Sequence, residues 1–335
     1  MIFLAKAEWE TQVATWLAFP HNKKNWNGKQ AEKVKAFYYK LILTITKFQK
    51  ACILVPKDFQ LPELIQKKLA KNKFPAHFIK MQTDDIWIRD YGPFFNTKNN
   101  KTTLVKTKFN AWGEKFPPYN NDSKVPERIA KLLKTDCKEI PYIFEGGALE
   151  FNDDGLALTT LPCLTGKNRN SVPESKKLLN ALKKELGLKD FLVLPNGLIG
   201  DHTDGHIDNI ARFVAKDHIV VAYTKNKKDA NYKGLHKNYT LIKAWLKRFY
   251  KKAKIDILEL PEQKQKGTEI LPASYLNFIF VNGALIYPKY DKILDKQVQA
   301  FFEKIFPERK IIGIDAKVVI EEGGSLHCLT KHQSA

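Results

Sequence analysis

Cysteine is scarce in this sequence. The 335 residues include only four, without any CxxC pair: Cys52, Cys137, Cys163 and Cys328. Structural zinc sites and disulfide-rich domains need cysteines at closer, paired spacings, so the sequence argues against both. Cys52 lies in the apolar run 51–55, which predicts a buried strand and a core role for this thiol. Cys137 and Cys163 have no evident role, which leaves Cys328 to be considered separately.

Long apolar runs, leader-like segments and flexible linkers are missing as well. No run approaches the roughly 20 apolar residues of a membrane helix, and the apolar start of the chain soon meets Glu8 and Glu10. We therefore expect no membrane partner and a location in the cytoplasm. No stretch rich in proline, glycine or serine divides the chain. This predicts a single catalytic domain over residues 1–335.

Acidic residues are outnumbered, since 36 Asp and Glu face 56 Lys and Arg, for a net charge of +20. A nucleic-acid-binding protein would cluster its basic residues on one element with aromatics between them. Here the lysines are spread along the chain, mostly on polar faces of predicted helices, such as Lys183-Lys184 and Lys247-Arg248. The pattern favours a solvated lysine-rich surface and no nucleic-acid partner. A cationic substrate would need local carboxylates to hold it against this charge.

Apolar periodicity predicts an α/β fold. Spacings of three and four predict helices over 31–48, 126–134, 173–187, 238–251 and 294–306. Short β-rich runs predict strands over 15–19, 77–80, 156–160, 218–223 and 278–281. Similar segments that place glycine beside a small residue within a strand occur at 145–150, 281–286 and 322–327. This alternation and these repeats favour radial repetition. A doubly wound sheet is the weaker alternative, because no GxGxxG or P-loop motif opens a helix.

Four short segments place an ionisable residue beside glycine: 87–93, 145–147, 205–209 and 322–328. The last ends in Cys328, just after a glycine pair. A thiolate is a strong nucleophile, and glycine lets the backbone approach a substrate closely. One cysteine alone is weak evidence, because a free cysteine is usually a small buried apolar residue. Together with His206, Asp90, Asp208 and Glu145, it indicates a cysteine enzyme for a cationic substrate.

His206 and Asp208 are two positions apart, so in an extended segment both side chains would share one face. A histidine beside a carboxylate is a candidate general acid and base. A metal ligand pair or a surface ion pair is an equally open interpretation. Asp201 and Asp204 could also serve a divalent metal, although Cys328 and the glutamate fit a metal-free nucleophilic site as well.

Asp90 and Glu145 each have a structural interpretation too. Asp90 follows Arg89 in a turn that would end a strand after Trp87 and Ile88, so it could form an ion pair or cap the turn. Glu145 could cap backbone amides at a strand end. Two carboxylates with a thiol and an imidazole nevertheless suit a guanidinium, whose paired N–H donors match carboxylates. Its carbon needs a strong nucleophile, and loss of ammonia needs a proton donor.

The chain resembles the bacterial and plant agmatine deiminases of the guanidine-modifying (pentein) superfamily, also described as Porphyromonas-type peptidylarginine deiminases. The resemblance covers nearly the whole chain, in order, through segments 7–10, 15–20, 87–93, 109–113, 145–147, 168–170, 203–209, 277–288 and 323–330. It implies a five-bladed α/β propeller with pseudo-fivefold ββαβ-type repeats. It also implies hydrolysis of agmatine to N-carbamoylputrescine and ammonia in polyamine (putrescine) biosynthesis, by a homodimer without a metal or other cofactor.

The resemblance also implies roles for individual residues. Cys328 would be the nucleophile that carries a covalent thiouronium intermediate, and His206 the general acid and base. Asp90 and Asp208 would clamp the guanidinium, while Glu145 would orient His206 and contact a substrate nitrogen. Trp87 would line the pocket.

One position departs from the family pattern. Several relatives have an acidic residue about four positions before the histidine, where it helps to bind the distal end of the substrate, whereas this chain has His202. Asp201 and Asp204 flank His202 and could substitute for it. We therefore expect His202 and Asp204 to contribute to substrate binding.

Two other functions compete with agmatine hydrolysis. Deimination of free or peptidyl arginine would need a partner for the α-carboxylate or an open groove. A non-catalytic basic binding module would have no reason to keep the cysteine, histidine and three carboxylates together, which makes it the weakest interpretation.

Overall fold

A pair of antiparallel strands followed by a helix and a parallel strand is the recurring unit of this mixed α/β fold. The computed structural model describes residues 5–98 and 101–335. Residues 1–4, part of the N-terminal stretch considered above, lie outside the described residues. Within them the strands are β1 Gln12–Ala18, β2 Lys50–Val55, β3 Ala76–Lys80, β4 Phe94–Lys98, β5 Lys101–Lys108, β6 Cys137–Ile143, β7 Glu150–Phe151, β8 Leu156–Thr160, β9 Asp190–Leu194, β10 Ala211–Ala215, β11 His218–Tyr223, β12 Lys254–Glu259, β13 Lys264–Lys266, β14 Glu269–Leu271, β15 Ile279–Val281, β16 Ala284–Lys289, β17 Lys310–Asp315 and β18 Thr330–Ser334.

The helices alternate with these strands. They are α1 Gly28–Ile45, α2 Glu63–Leu69, α3 Ile88–Tyr91, α4 Ala111–Glu114, α5 Val125–Leu133, α6 Leu161–Thr165, α7 Val172–Leu186, α8 Tyr232–Lys247, α9 Leu294–Ile305 and α10 Lys317–Ile320. Short 3₁₀ helices cover Asp122–Lys124, Gly146–Ala148 and Ile207–Asn209. None of the helices in the described ranges combines the length and the apolar character that a membrane crossing requires.

Five sheets share one pairing pattern among the described strands. In β4-β5-β6, β7-β8-β9, β10-β11-β12 and β15-β16-β17, the first pair is antiparallel and the second parallel. The fifth sheet, β18-β1-β2-β3, has the same antiparallel and parallel pairs, plus one more parallel strand. Its antiparallel pair joins the two ends of the chain. The ends are therefore tied together next to Cys328, which lies just before β18.

The sequence rules for helices hold well for α7. Ser171 and Glu174 form a reciprocal capping box at its start, and Gly187 ends it in a left-handed conformation. Leu178, Leu182 and Leu186 form its buried stripe. The five helices and five strands predicted from apolar periodicity and β-rich runs are all present, with shifted ends. The largest shift is in α8, which begins at Tyr232 rather than at the predicted residue 238.

The early start of α8 has a local explanation. Asn238, where the helix was predicted to begin, lies buried inside it, and its side-chain amide donates to the carbonyl of Asn196 at 3.0 Å. An asparagine that finds a tertiary partner loses its preference for a helix end. The predicted boundary was therefore wrong.

Three local predictions near the motif residues were also wrong. The predicted strand through Trp87 and Ile88 is the start of the short helix α3. The segment from His206 is a 3₁₀ turn rather than an extended strand. The similar glycine segments differ from one another: 146–148 is a 3₁₀ helix, 281–284 is a hairpin turn, and 323–328 is irregular chain. Glycine permits many turns, so similarity over a few residues does not fix one conformation.

Most apolar side chains belong to one large buried cluster, and a second cluster lies under β6, β8 and α7. Helix α3 packs against the 3₁₀ helix Gly146–Ala148, which in turn packs against Ile207–Asn209. This places Asp90, Glu145 and Asp208, which are far apart in sequence, beside one another. The irregular chain before β18 brings in Cys328.

Candidate active site

A pocket of about 400 Å³ opens beside Cys328. Among the predicted site residues, Trp87, Asp90, His202 and Cys328 line it. His206, Asp208 and Glu145 lie beneath this lining and are fully buried. The remaining lining residues are Asn25, Trp26, Asp85, Trp112, Lys115, Phe116, Pro117, Thr203, Lys266, Glu269, Glu321, Glu322, Gly323 and Gly324.

Cys328 lies at the base of the pocket with 6 % of its surface exposed. Its Sγ is 3.3 Å from the amide nitrogen of Asn277, and the thiol points toward Asp208 Oδ2 at 3.9 Å. Burial raises the pKa of the Cys328 thiol well above its usual value, and the negative charges of Asp208 and Asp90 raise it further. The free protein therefore holds a thiol here, and a cation between the two carboxylates would favour the thiolate.

Asp90 is oriented by two donors. Trp112 Nε1 donates to Oδ2 at 2.9 Å, and the backbone N–H of Gly147 donates to Oδ1 at 2.9 Å. Burial raises the pKa of Asp90, and the nearby Asp208 adds to this effect, while His206 opposes it. A second carboxylate beside Asp90 in a site shielded from water favours binding of a cation.

His206 lies beside Asp90, with 3.6 Å between its Nδ1 and Oδ1 of the carboxylate. Neither of its ring nitrogens has a hydrogen-bond partner among the described residues. Burial alone would lower the pKa of His206, but Asp90 and Asp208 outweigh it and raise the pKa. A protonated ring that lacks a fixed partner is suited to donate a proton to a bound substrate.

Asp208 uses only one of its carboxylate oxygens. Oδ2 accepts a hydrogen bond from His327 Nδ1 at 2.7 Å, whereas Oδ1 has no partner among the described residues. Burial alone would raise the pKa of Asp208, but the hydrogen bond and the charge of His327 lower it. Asp208 is therefore an ionised carboxylate with an oxygen available for a ligand.

Glu145 pairs with Arg169 at 3.1 Å, and both side chains are fully buried. Burial raises the pKa of Glu145, against the charge of Arg169. Arg169 also reaches Asp204, and its other N–H group donates to the carbonyl of Thr203 at 2.9 Å. Glu145 is close enough to influence the charge of His206, but its hydrogen bonds go to Arg169. Its expected orientation of His206 stays a prediction.

Of Asp204 and His202, only His202 lines the pocket. The Asp204 carboxylate pairs with Lys115 at 2.6 Å and with Arg169, and Asp204 is not among the pocket-lining residues. His202 does line the pocket, where its ring stacks on Phe116 with 5.8 Å between centroids. Its Nε2 contacts Glu269, which begins β14. Glu269 is therefore the carboxylate that contacts His202, the residue that departs from the family pattern.

The cluster 201–208 does not converge on one point. Asp201 accepts hydrogen bonds from Thr203 and from the backbone N–H of His206 at 3.0 Å. The other members are directed to different partners, as described above. Across residues 5–98 and 101–335, no group of three or more His, Cys, Asp or Glu side chains is arranged to hold a metal ion.

The sequence analysis missed four residues that hold the site together: Glu8, Trp112, Asn277 and His327. All four lie within segments that carry the family resemblance. Their roles depend on contacts across the fold, such as the one between His327 and Glu8, 319 positions apart. Only His327, the direct neighbour of Cys328, had a local signal that could have suggested it.

The packing of His206 and Asp90 leaves no room for a side chain at Gly147. A Cβ atom at this position would lie 2.6 Å from His206 Nδ1 and 2.8 Å from Asp90 Oδ1. We expect Gly147→Ala to lower kcat/KM by roughly 100-fold or more, because displacing reacting groups by about 1 Å costs that much. Steady-state kinetics and thermal unfolding measured together test this. Gly234→Ala is the control, since its Cβ would meet Asn196 at 3.3 Å, outside the site. Unchanged kinetics of Gly147→Ala would contradict the described packing.

Known proteins resemble this chain in sequence and in fold. The sequence model of the Porphyromonas-type peptidyl-arginine deiminases matches residues 4–334. The agmatine deiminase of Pseudomonas fluorescens SBW25 is 28 % identical over 361 residues, covering 99 % of this chain and 96 % of that protein. A cysteine-to-serine variant of C. jejuni agmatine deiminase, solved with substrate bound, is 33 % identical with a TM-score of 0.89. That alignment covers 100 % of this chain and 97 % of the other.

A more distant likeness concerns the fold alone. ArgZ, a cyanobacterial arginine dihydrolase of the pentein type, aligns with 13 % identity and a TM-score of 0.56, covering 96 % of this chain and 40 % of that one. The mixed α/β fold is thus of the pentein type. The match of the family model over nearly the full length, together with the structural relative above 30 % identity, shows that this chain belongs to the Porphyromonas-type peptidyl-arginine deiminase family.

Proposed function

We propose that this protein hydrolyses agmatine to N-carbamoylputrescine and ammonia through a covalent thiouronium intermediate on Cys328. The observation that carries the proposal is that two buried carboxylates, Asp90 and Asp208, lie beside the Cys328 thiol and the His206 imidazole at one pocket. This set matches the charge and the paired N–H donors of a guanidinium. Two of the relatives described above are agmatine deiminases, one of them solved with its substrate.

The first half of the reaction replaces a C–N bond by a C–S bond. The guanidinium binds between Asp90 and Asp208, and its positive charge lowers the pKa of Cys328 so that the thiol proton leaves to solvent. The thiolate attacks the guanidinium carbon. His206, protonated in the free protein, donates its proton to the departing nitrogen, which leaves as ammonia.

The second half restores the thiol. Neutral His206 takes a proton from water, and the resulting hydroxide attacks the thiouronium carbon. The C–S bond then breaks and the hydroxyl proton passes to the departing sulfur, which gives a ureido product, the Cys328 thiol and a protonated His206. Glu145 supports the charge of His206 through both steps, and Trp87 lines the pocket beside the reacting group.

The outer part of the pocket favours an amine over a carboxylate. Its lining includes Asp85, Glu269, Glu321 and Glu322. Two lysines, Lys115 and Lys266, line it too. Both face carboxylates already, Lys115 that of Asp204 at 2.6 Å and Lys266 that of Glu322 at 3.7 Å.

Glu269 is therefore the better partner for the distal amine of agmatine than Asp204. Two cations already occupy the Asp204 carboxylate. His202 lines the pocket beside Glu269 and orients it. Of the two residues expected to bind substrate, His202 thus acts through Glu269, and Asp204 acts by holding Lys115 and Arg169.

We expect agmatine to exceed free arginine in kcat/KM by at least about two to three orders of magnitude. Placing the α-carboxylate of arginine among these carboxylates costs several kcal/mol, and each ~1.4 kcal/mol is a factor of ten. Glu269→Gln should raise KM for agmatine about fivefold, the worth of a half-exposed ion pair of ~1 kcal/mol. A colorimetric ureido assay with agmatine, arginine and a blocked arginine peptide measures this.

The control for this experiment is Glu262→Gln, an exposed glutamate that does not line the pocket. It should leave KM unchanged. Comparable rates on agmatine and arginine would contradict agmatine as the substrate and favour arginine deimination. Turnover of the peptide alone would favour a peptidyl-arginine deiminase.

Cys328→Ser should lower kcat by at least about four orders of magnitude and leave agmatine binding largely intact. A hydroxyl is a far weaker nucleophile than a thiolate, and removing a nucleophile costs on this scale in other enzymes. Single-turnover kinetics and equilibrium dialysis measure the two effects. Cys137→Ser, in β6, is the matched control. Substantial activity in Cys328→Ser would mean that water attacks the substrate directly.

The arrangement of the whole molecule belongs to the same proposal. Five sheets with one pairing pattern and a pentein-type relative support a five-bladed propeller around the site, formed by a single domain over residues 1–335. A homodimer, a cytoplasmic location and a place in polyamine biosynthesis stay predictions from the sequence resemblance. The non-catalytic binding module is disfavoured, because the cysteine, the histidine and the two clamp carboxylates meet at one pocket.

A further inference from the structure

His327 bridges two carboxylates directly beneath Cys328. Its Nδ1 lies 2.7 Å from Asp208 Oδ2, and its Nε2 lies 2.7 Å from Glu8 Oε2. All three side chains are buried. Glu8 belongs to the segment before β1, so this chain of contacts links the N-terminal region of the protein to its reactive cysteine.

Glu8 is itself held by cations. Arg89 and Arg212 approach its Oε2 at 3.4 Å and 3.3 Å, and the backbone N–H of Phe280 donates to Oε1 at 3.3 Å. Burial alone would raise the pKa of Glu8, but His327 and the two arginines lower it well below its usual value. Glu8 is therefore a fixed negative charge on the far side of the His327 ring.

The protonation of His327 follows from its two neighbours. A neutral imidazole donates from one nitrogen only, so one of the two close contacts would set lone pairs against a carboxylate. The imidazolium donates to both. Burial, Arg212 and Arg89 lower the pKa of His327 below its usual value, although Glu8 and Asp208 oppose them. The geometry argues the other way, because only the imidazolium donates at both contacts. The two short contacts favour the imidazolium as the form that satisfies every atom.

Further charged and titratable groups surround this pair. Those facing Asp208 besides His327 are His206, Asp90, Arg212 and Cys328. Those facing His327 besides Asp208 are Glu8, Arg89, Arg212 and His332. Among the described residues, His327 is the only one of these groups that forms a hydrogen bond shorter than 3 Å with the Asp208 carboxylate.

His327 also fixes the position of the nucleophile, Cys328. Its backbone N–H donates to Asn277 Oδ1 at 2.9 Å, and the amide nitrogen of Asn277 lies 3.3 Å from Cys328 Sγ. The residue that fixes Asp208 Oδ2 is therefore adjacent in sequence to Cys328 and shares a partner with it. Any shift of the ring would move the clamp relative to the thiol.

We propose that Glu8 and His327 are positioning residues, which fix one oxygen of Asp208, keep the carboxylate ionised and leave the other oxygen for the substrate guanidinium. The inference rests on the proposed function, in which Asp208 binds that guanidinium. The competing explanation is a purely structural buried ion network. The two differ in what happens at acidic pH, because only the positioning role sets the pKa of Asp208.

Two substitutions of His327 separate the contacts. The amide nitrogen of asparagine reaches the place of Nδ1, so His327→Asn keeps a donor to Asp208 and loses the Glu8 contact. Glutamine reaches the place of Nε2, so His327→Gln keeps the Glu8 contact and loses the donor to Asp208. A structural network would suffer about equally from both changes.

The measurement is the pH profile of kcat and KM from about pH 3 to 8 for both variants, with thermal unfolding beside it, because the pKa of Asp208, which burial alone would raise, is placed below its usual value by the His327 hydrogen bond. Loss of the hydrogen bond raises the pKa of Asp208, so the acid limb of kcat/KM moves to higher pH. We expect His327→Gln to move it by about one pH unit, mainly through KM. His327→Asn should move it less. The proposal would be overturned by equal shifts in the two variants, or by an acid limb in His327→Gln at the same pH as in the wild-type protein.

A variant of Glu8, the other carboxylate that His327 contacts, keeps the proposal testable if the His327 variants do not fold. Glu8→Gln should move the acid limb in the same direction by a smaller amount, and an unchanged limb would overturn the proposal. Turnover of agmatine by the wild-type protein tests the proposed function separately. If arginine proves to be the substrate instead, the same profiles recorded with arginine test the roles of Glu8 and His327.

Discussion

The site depends on holding two buried carboxylates, Asp90 and Asp208, near one another, with the His206 imidazole as their shared neighbour. Burial disfavours both charges, and each disfavours the other. The same arrangement raises the pKa of the Cys328 thiol. A bound guanidinium relieves all of these unfavourable interactions at once, so substrate binding and activation of the nucleophile become one event.

The surrounding fold supplies what holds these charges in place. Trp112 and Gly147 donate to Asp90, while His327 donates to Asp208. Behind them, Glu8 lies between Arg89 and Arg212, which neutralise it. Removing one member of such a network leaves an uncompensated buried charge, which is far more costly than removing the whole network. The pairing of β18 with β1 brings the two chain ends together where this network needs them.

The sequence indicated which residues form the site, but it indicated much less about how their side chains are arranged. Cys328, His206, Asp90 and Asp208 were recognised by residue type and neighbouring glycines, and the structure brings them together. The reason offered for pairing His206 with Asp208 was wrong, because the segment is a 3₁₀ turn and Asp208 bonds His327 instead. Local pattern rules fail where tertiary partners decide the backbone conformation.

The contacts of Glu8, Asn277, Glu269 and Asp204 could not be predicted for the same reason. Glu8 meets His327 from 319 positions away, and Glu269 reaches His202 from the hairpin of β13 and β14. No periodicity or spacing carries that information. The long helices and strands were predictable because their apolar periodicity extends over many residues, whereas α3 and the 3₁₀ turns are too short to show any.

Titration of the Cys328 thiol tests the central claim most directly. Ultraviolet thiolate absorbance of the wild-type protein, with Cys328→Ser subtracted as the reference, gives the pKa of this one thiol. The account predicts a pKa above that of an ordinary thiol in the free protein, lowered when acetamidinium, a planar cation with paired N–H donors, occupies the site. A Cys328 that titrates at or below the ordinary value without any cation would contradict the account.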